Sequence, residues 1–304
     1  MNRKEFIKAI GITASGVVLA PSYLMASSPK KELIRLTILH TNDMHSHIDP
    51  FPLNDPKYPG LGGIEKRAAL IRNIRATEEN VLLLDAGDVF QGTPYFNMYG
   101  GELEFKLMSK MGYDGCTIGN HDLDNGIEGL RKMLPYAKFP FINCNYDFTN
   151  TELDGAIIPH KIIIKSGLKI GVFGIGVELT GLVDKKNYGE TKYLDPLEIA
   201  NDKARFLKKE KGCNLVVCLS HLGHSYHTQK VSDLILAKKS KHIDLIIGGH
   251  THTFLNKPIE IKNKSYKNVL VTQAGWAGIN LGRIDYEIHL KSSDNQAVGS
   301  SYKI

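Results

Sequence analysis

Gly119-Asn120-His121-Asp122-Leu123-Asp124-Asn125-Gly126 is the stretch whose reading decides the fold. It follows Cys116-Thr117-Ile118, a short apolar run that reads as a buried strand, and its Gly-Asn step reads as the tight turn leaving that strand. An amide, an imidazole and two carboxylates thus stand at one strand end, and strand ends in open α/β sheets are where ligand chemistry is built. Alone, the stretch is equally a polar loop that caps the next helix. Four further clusters repeat its form, each an apolar run leading into residues that bind metals.

The first is His40-Thr41-Asn42-Asp43-Met44-His45-Ser46-His47, after the alternating run Leu33 to Leu39. In an extended segment residues two apart point the same way, so Asp43 and His45 are expected to face one cation. Asp85-Ala86-Gly87-Asp88 follows the apolar run Val81 to Leu84, and Gly87 frees the backbone to aim Asp88 inward. Leu219-Ser220-His221 and Gly248-Gly249-His250-Thr251-His252 complete the set, the last with two imidazoles expected on one side of an extended turn. Singly each pattern is commonplace. Together Asp43, His45, Asp88, Asn120, His221, His250 and His252 form the nitrogen and oxygen donor set suited to zinc, manganese or iron. Seven donors exceed one tetrahedral site, so two divalent ions fit better, and such a pair lowers the pKa of a bridging water and clamps a phosphoryl group for in-line displacement.

The rest of the chain alternates apolar strands with amphipathic segments, the α/β signature. Further strands are expected at Lys161–Ile164, Lys169–Phe173, Leu215–Leu219, Leu245–Ile247, Val269–Thr272 and Arg283–Ile288, and helices at Ile64–Arg75, Leu103–Met111, Ile127–Ala137 and Pro196–Lys209. Two packed sheets flanked by helices suit this count. Residues 48–62 are rich in Pro, Gly, Asn and Asp and read as a long surface loop. The chain has 304 residues, 42% hydrophobic and 23% charged, and its formal net charge of +6 includes no long basic run, which argues against a nucleic-acid polymer as partner. Its four cysteines, in or beside apolar runs, read as buried thiols. Residues 1–28 open with Arg3 and Lys4 and continue as a small, apolar, uncharged run to Ala26, the layout of an export signal close to the twin-arginine type. No later stretch is long and apolar enough to span a bilayer. The mature chain, residues 29–304, is therefore expected to be exported, periplasmic or extracellular, with no membrane span.

Asp43-x-His45, Gly87-Asp88, Gly119-Asn120-His121-Asp122 and Gly249-His250-Thr251-His252 resemble, in order and spacing, the calcineurin-like metallophosphoesterases. Ile38-Leu39-His40-Thr41-Asn42-Asp43, Asp88-Val89-Phe90-Gln91-Gly92-Thr93-Pro94 and Gly62-Gly63 with Arg67 resemble more closely their 5′-nucleotidase branch. The resemblance covers roughly residues 33 to 290 and implies an α/β fold, a four-layer αββα sandwich of two mixed sheets. It implies one metal on Asp43, His45, Asp88 and His252, a second on Asp88, Asn120, His221 and His250, and His121 as catalytic imidazole oriented by Asp124. Arg67 is a candidate for substrate phosphate or for a helix-face salt bridge. Family nucleotidases carry Glu where Asp122 stands, a difference expected to matter little because that side chain is no ligand.

The resemblance further implies hydrolysis of phosphate esters, foremost 5′-nucleotides, with a C-terminal domain that holds the nucleobase. That domain is absent before Ile304, so either a separate chain supplies it or the enzyme takes broader phosphoesters. Cyclic nucleotides, nucleotide-sugars and sulfur esters are alternative substrates for the same motifs, and a non-catalytic metal-binding scaffold subunit of a two-chain assembly is the alternative of another class. With a single Trp, the isolated chain is expected to distinguish nucleotides poorly. A base pocket within it would have to involve the 48–62 loop.

Overall fold

A computed structural model describes residues 33–290 and 296–304; the expected export signal lies outside the described residues. Thirteen strands occur among them: β1 (Leu33–Thr41), β2 (Val81–Asp85), β3 (Gly115–Cys116), β4 (Tyr146–Asp147), β5 (Lys161–Lys165), β6 (Leu168–Ile175), β7 (Lys192–Tyr193), β8 (Leu215–Ser220), β9 (Leu245–Gly248), β10 (Ile259–Lys262), β11 (Asn268–Thr272), β12 (Asn280–His289) and β13 (Gln296–Lys303). The α-helices are α1 (Ile64–Thr77), α2 (Pro94–Tyr99), α3 (Glu102–Met111), α4 (Gly126–Met133), α5 (Lys185–Tyr188), α6 (Pro196–Arg205) and α7 (Asp233–Lys239).

The strands form two mixed sheets and a small ribbon. The first sheet runs β13-β12-β1-β2-β3, and the second runs β10-β11-β9-β8-β6-β5. β1, β2 and β3 are parallel, as are β6, β8, β9 and β11, while the outer strands join antiparallel.

Period-two burial explains why these sheets stack. Leu82 and Leu84 of β2 pack in one apolar cluster with Val217 and Leu219 of β8, whereas their neighbours Val81 and Leu83 pack in another with Ile71 of α1 and Phe105 of α3. On the second sheet Val216 and Cys218 turn outward to Ala200 and Ala204 of α6 and to Leu236 of α7. Three apolar layers therefore separate helix, sheet, sheet and helix, the four-layer sandwich expected. Strands covered on both faces read as unbroken apolar runs for this reason, and each fully buried Leu, Ile or Val contributes roughly 1.5–3 kcal/mol.

Local signals set the helix ends. Asp195 accepts from the N–H groups of Leu197 and Glu198 with Pro196 at the first position, and Gly112 closes α3 in the left-handed region. Gly174 packs against the Ile142 carbonyl, where an added Cβ would meet that oxygen at 1.9 Å, so the glycines of β6 serve close packing. No helix among the described residues is long and apolar enough to cross a membrane.

Candidate metal centre

Asp43, Asp88 and Asn120 follow β1, β2 and β3 of the first sheet; His221 and the pair His250 and His252 follow β8 and β9 of the second. The two sets of strand ends meet. Asp43, His45 and His252 bring one donor atom each within 4.8 Å of one another, and so do Asp88, His221 and His250.

The distances are those of donors around cations. His45 Nε2 lies 3.0 Å from His252 Nε2, and Asp43 Oδ1 lies 3.5 Å from His252 Nε2 and 3.9 Å from His45 Nε2. Donors held about 2.1 Å from a cation are roughly 3 to 3.5 Å from each other. A single oxygen, Asp88 Oδ2, lies 3.0 Å from His221 Nε2 and 3.9 Å from His45 Nε2, and so stands between the two groups.

The outer ring nitrogens are held as a metal site requires. His221 Nδ1 donates to the Ala86 carbonyl at 2.7 Å and His45 Nδ1 to the Phe90 carbonyl at 3.3 Å, which leaves Nε2 of each ring as a lone-pair donor. Asn120 Oδ1 is buried without a hydrogen-bond partner, a costly condition that a cation would relieve, and His221 Nε2 faces the Asp88 carboxylate 3.0 Å away. The residues therefore fit divalent metals.

The electrostatics agree. Burial lowers the pKa of His45 and brings that of His250 down to about 4, so both rings are neutral at pH 7. Burial also lowers His221, but Asp88 outweighs it and pushes the pKa up to about 10, so a cation bound there must displace a proton.

His121 stands at the edge of this cluster, its ring centroid 5.3 Å from that of His45. Its Nδ1 lies 2.8 Å from Asp124 Oδ2, and that hydrogen bond raises its pKa against the effect of burial. Its backbone N–H donates to Asp88 Oδ1 at 2.7 Å, which ties the imidazole to the central carboxylate. Gly119 permits the approach, since a Cβ there would fall 2.1 Å from Asp88 Oδ1.

The structure departs from the sequence reading at four points. Asp43 and His45 converge through left-handed turns, with φ of 49° and 48°, not through an extended segment; Asp88, His250 and His252 are left-handed as well. His250 and His252 thus stand on a turn of left-handed residues, not an extended one, and fall in different donor groups as the family resemblance implied. Arg67 does not reach the surface, where substrate or a helix-face carboxylate would be: it is 1% exposed, its guanidinium packed under Gly278, with Nε and Nη1 unpartnered. It points inward because α1 lays that face on the core.

The fourth departure is Asp122. Although no ligand, it is fully buried, and its carboxylate accepts from the backbone N–H groups of Asp88 at 3.0 Å, Val89 at 2.9 Å, Phe90 at 3.2 Å and Gly119 at 2.8 Å. It is the anchor of the loop that carries Asp88. Asn42 does the same for Asp43: Nδ2 donates to Asp43 Oδ2 and to the Gly275 carbonyl, both at 2.6 Å, and Oδ1 accepts from Ala274 N–H at 2.7 Å. Gln273, which the sequence did not single out, binds the Gly249 carbonyl and the Thr253 N–H and so shapes the turn of His250 and His252.

Comparison with known proteins gives this arrangement its place. The family model described as calcineurin-like phosphoesterase matches residues 36–254. A snake venom 5′-nucleotidase of Crotalus adamanteus is 33% identical over 290 residues, covering 88% of this chain and 48% of the relative. The chain spans about half the length of the curated 5′-nucleotidases it matches. Among solved structures, the 5′-nucleotidase precursor of Thermus thermophilus superposes with a TM-score of 0.81 at 33% identity, covering 89% of this chain and 55% of that one. The calcineurin-like phosphoesterase YfkN of Bacillus subtilis gives 0.72 at 26% identity, covering 89% and 91%. With two sheets whose strand ends bring carboxylates and imidazoles to one seam, and a family model that matches across that seam, the chain belongs to the calcineurin-like phosphoesterase family.

Proposed function

We propose that the chain is an exported dinuclear-metal phosphoesterase that releases phosphate from nucleoside 5′-phosphates. The observation that carries it is Asp88 Oδ2, one oxygen between two donor groups, 3.0 Å from His221 Nε2 and 3.9 Å from His45 Nε2. Asp43, His45, Asp88 and His252 would hold one divalent ion and Asp88, Asn120, His221 and His250 the other, with zinc, manganese or iron suited to the donors. When bound, such a pair supplies an activated water and a clamp on phosphoryl oxygens.

The chain's own residues do the rest. Asn42 and Asp122 hold the two carboxylates in place. His121, its Nδ1–H held by Asp124, would donate its Nε2 proton to the leaving oxygen or stabilise the charge that develops there. Preference for nucleotides is supported by the 5′-nucleotidases among the relatives at 33% identity. Residues 1–28 act in this proposal as the export signal and residues 29–304 as the catalytic unit.

The test is hydrolysis of AMP by the purified chain before and after chelation. A chelator should abolish turnover, and zinc or manganese should restore it with two ions per chain. Turnover that survives complete removal of metal ends the proposal.

A further inference from the structure

Aromatic side chains that the donor set does not use gather at the outer edge of the metal centre. Trp276 lies flat against His252, ring centroids 5.6 Å apart and planes within 5°. It meets Phe51 at 5.9 Å and Tyr58 at 6.2 Å, and Tyr58 lies 6.1 Å from Phe254 with the planes tilted by 32°. These rings come from three separate stretches. Phe51 and Tyr58 belong to the 48–62 loop, Phe254 follows His252 by two residues, and Trp276 sits in the turn after β11.

The loop that brings the first two is built, not slack. Phe51 N–H donates to the Leu61 carbonyl at 2.8 Å, and the Asp55 carboxylate accepts from the N–H groups of Lys57 at 2.9 Å and Tyr58 at 2.6 Å. Nor is the cluster a piece of core. Phe105 and Phe141 in the helix-side layer are buried, whereas Phe254 is 38% exposed and Phe51, Tyr58 and Trp276 are only half-buried. Several rings held together and left partly open beside a candidate metal ligand mark a binding surface.

We propose that Tyr58 and Phe254, backed by Phe51 and Trp276, are the platform on which the nucleobase of the leaving group stacks. The assignment rests on the proposed function in taking the phosphoryl group to be at the metals. Geometry selects the class of ligand. Trp276 covers His252, Tyr58 lies one ring-to-ring step from Trp276, and Phe254 one step from Tyr58. A ring bonded directly to the ester oxygen would stop short of them, whereas a base held off by a ribose reaches them. The platform presents π-faces, with the Lys57 ammonium 5.1 Å from the centre of the Tyr58 ring, so it grips any base by stacking more than by reading base edges. It supplies from within this chain the affinity for a base that a lone Trp did not promise.

Trp276 is the only tryptophan in the chain, so its fluorescence reports on the platform without any turnover. Adenosine, which carries the ring but no phosphate, should quench it saturably, and ribose 5-phosphate, which carries phosphate but no ring, should not. Phe254→Ala and Tyr58→Ala should each weaken adenosine binding about tenfold, within the range one base-on-ring stack supplies. Phe254→Tyr, which keeps a ring, should restore it. Tyr266→Ala, an 86% exposed ring at the far end of β11, serves as the control. In steady state the same two alanine variants should raise the KM for AMP relative to that for ribose 5-phosphate by a similar factor.

The outcomes separate the two claims. Turnover of AMP without adenosine quenching, and with selectivity untouched in the variants, overturns the platform and leaves the phosphoesterase standing. Ring-dependent quenching without turnover of any phosphoester upholds the base site and sinks the phosphoesterase. Quenching by phenyl phosphate as strong as by AMP overturns the assignment to a nucleobase.

Discussion

Replacing Asp122 by Asn tests whether a buried non-ligand holds the metal loop. Oδ1 accepts from Val89 and Phe90, and Oδ2 from Asp88 and Gly119. Asn is isosteric, but whichever way its amide is turned, the NH2 group faces two of these N–H donors. Two hydrogen bonds to a charged acceptor are then lost, at about 1.5–3 kcal/mol each, and the other two weaken as the acceptor becomes neutral. One term offsets this: burial, with Asp88 alongside, pushes the Asp122 pKa up to about 7, so the neutral amide is spared part of the cost of a buried charge. The balance is a loss of roughly 2 to 4 kcal/mol, a large share of the 5–15 kcal/mol typical of a domain. Urea unfolding in the presence of a chelator measures it without any contribution from metal. Metal content per chain, determined by elemental analysis, should fall in parallel because the Asp88 loop is no longer pinned. If Asp122→Asn unfolds within about 1 kcal/mol of the parent and binds the same metal, the anchoring role is refuted.

Other expectations are open to direct measurement. Asp88→Ala should strip metal from both groups, because its Oδ2 stands between them; a variant that still binds two ions by elemental analysis contradicts this. His121→Ala should keep the metals yet lose about two to four orders of magnitude in kcat for AMP, and Asp124→Asn should lose less; an empty site in His121→Ala would make that residue a ligand. His40 is fully buried, and burial drops its pKa to about 3. The unfolded chain takes up that proton near the ordinary value of 6.5 and the folded chain only near 3, so the unfolded state binds more protons in between. Stability should therefore fall as the pH drops from 6.5 towards 3, by at most about 1.4 kcal/mol per pH unit. His40→Gln should flatten that slope in unfolding curves recorded with a chelator between about pH 4 and 7.

What could be read from the sequence follows from which interactions are local. Val81–Leu84 and Leu215–Leu219 announce doubly covered strands because every residue in them is buried, and the metal-binding residue types stand at their ends. β13 carries no such mark: Gln296–Lys303 is an edge strand of small and polar residues, paired only with β12. The candidate donor positions were legible but the backbone that aims them was not, since the left-handed φ at Asp43, His45, Asp88, His250 and His252 belongs to residues other than glycine. Asp122 escaped for a different reason. Three of its four backbone partners lie 32 to 34 residues away, and a side chain bonded to distant backbone leaves no pattern in the chain. Arg67 read as a group for substrate phosphate or for a helix-face salt bridge because a cation on a helix is ordinarily exposed, and only the packing of α1 shows that this one is not.

The meeting of the two sheets at the donor groups has a mechanical consequence. His45 and His252, whose ring nitrogens lie 3.0 Å apart, are 207 residues apart in the chain, and each donor group takes members from both sheets. Two ions held there would act as rivets across the interior seam, closing very long loops as disulfides do in other chains. All four cysteines meanwhile remain free thiols. Prying the sheets apart then requires releasing the ions first, so the lifetime of the folded chain under load, or against a protease, would track the metal concentration around it.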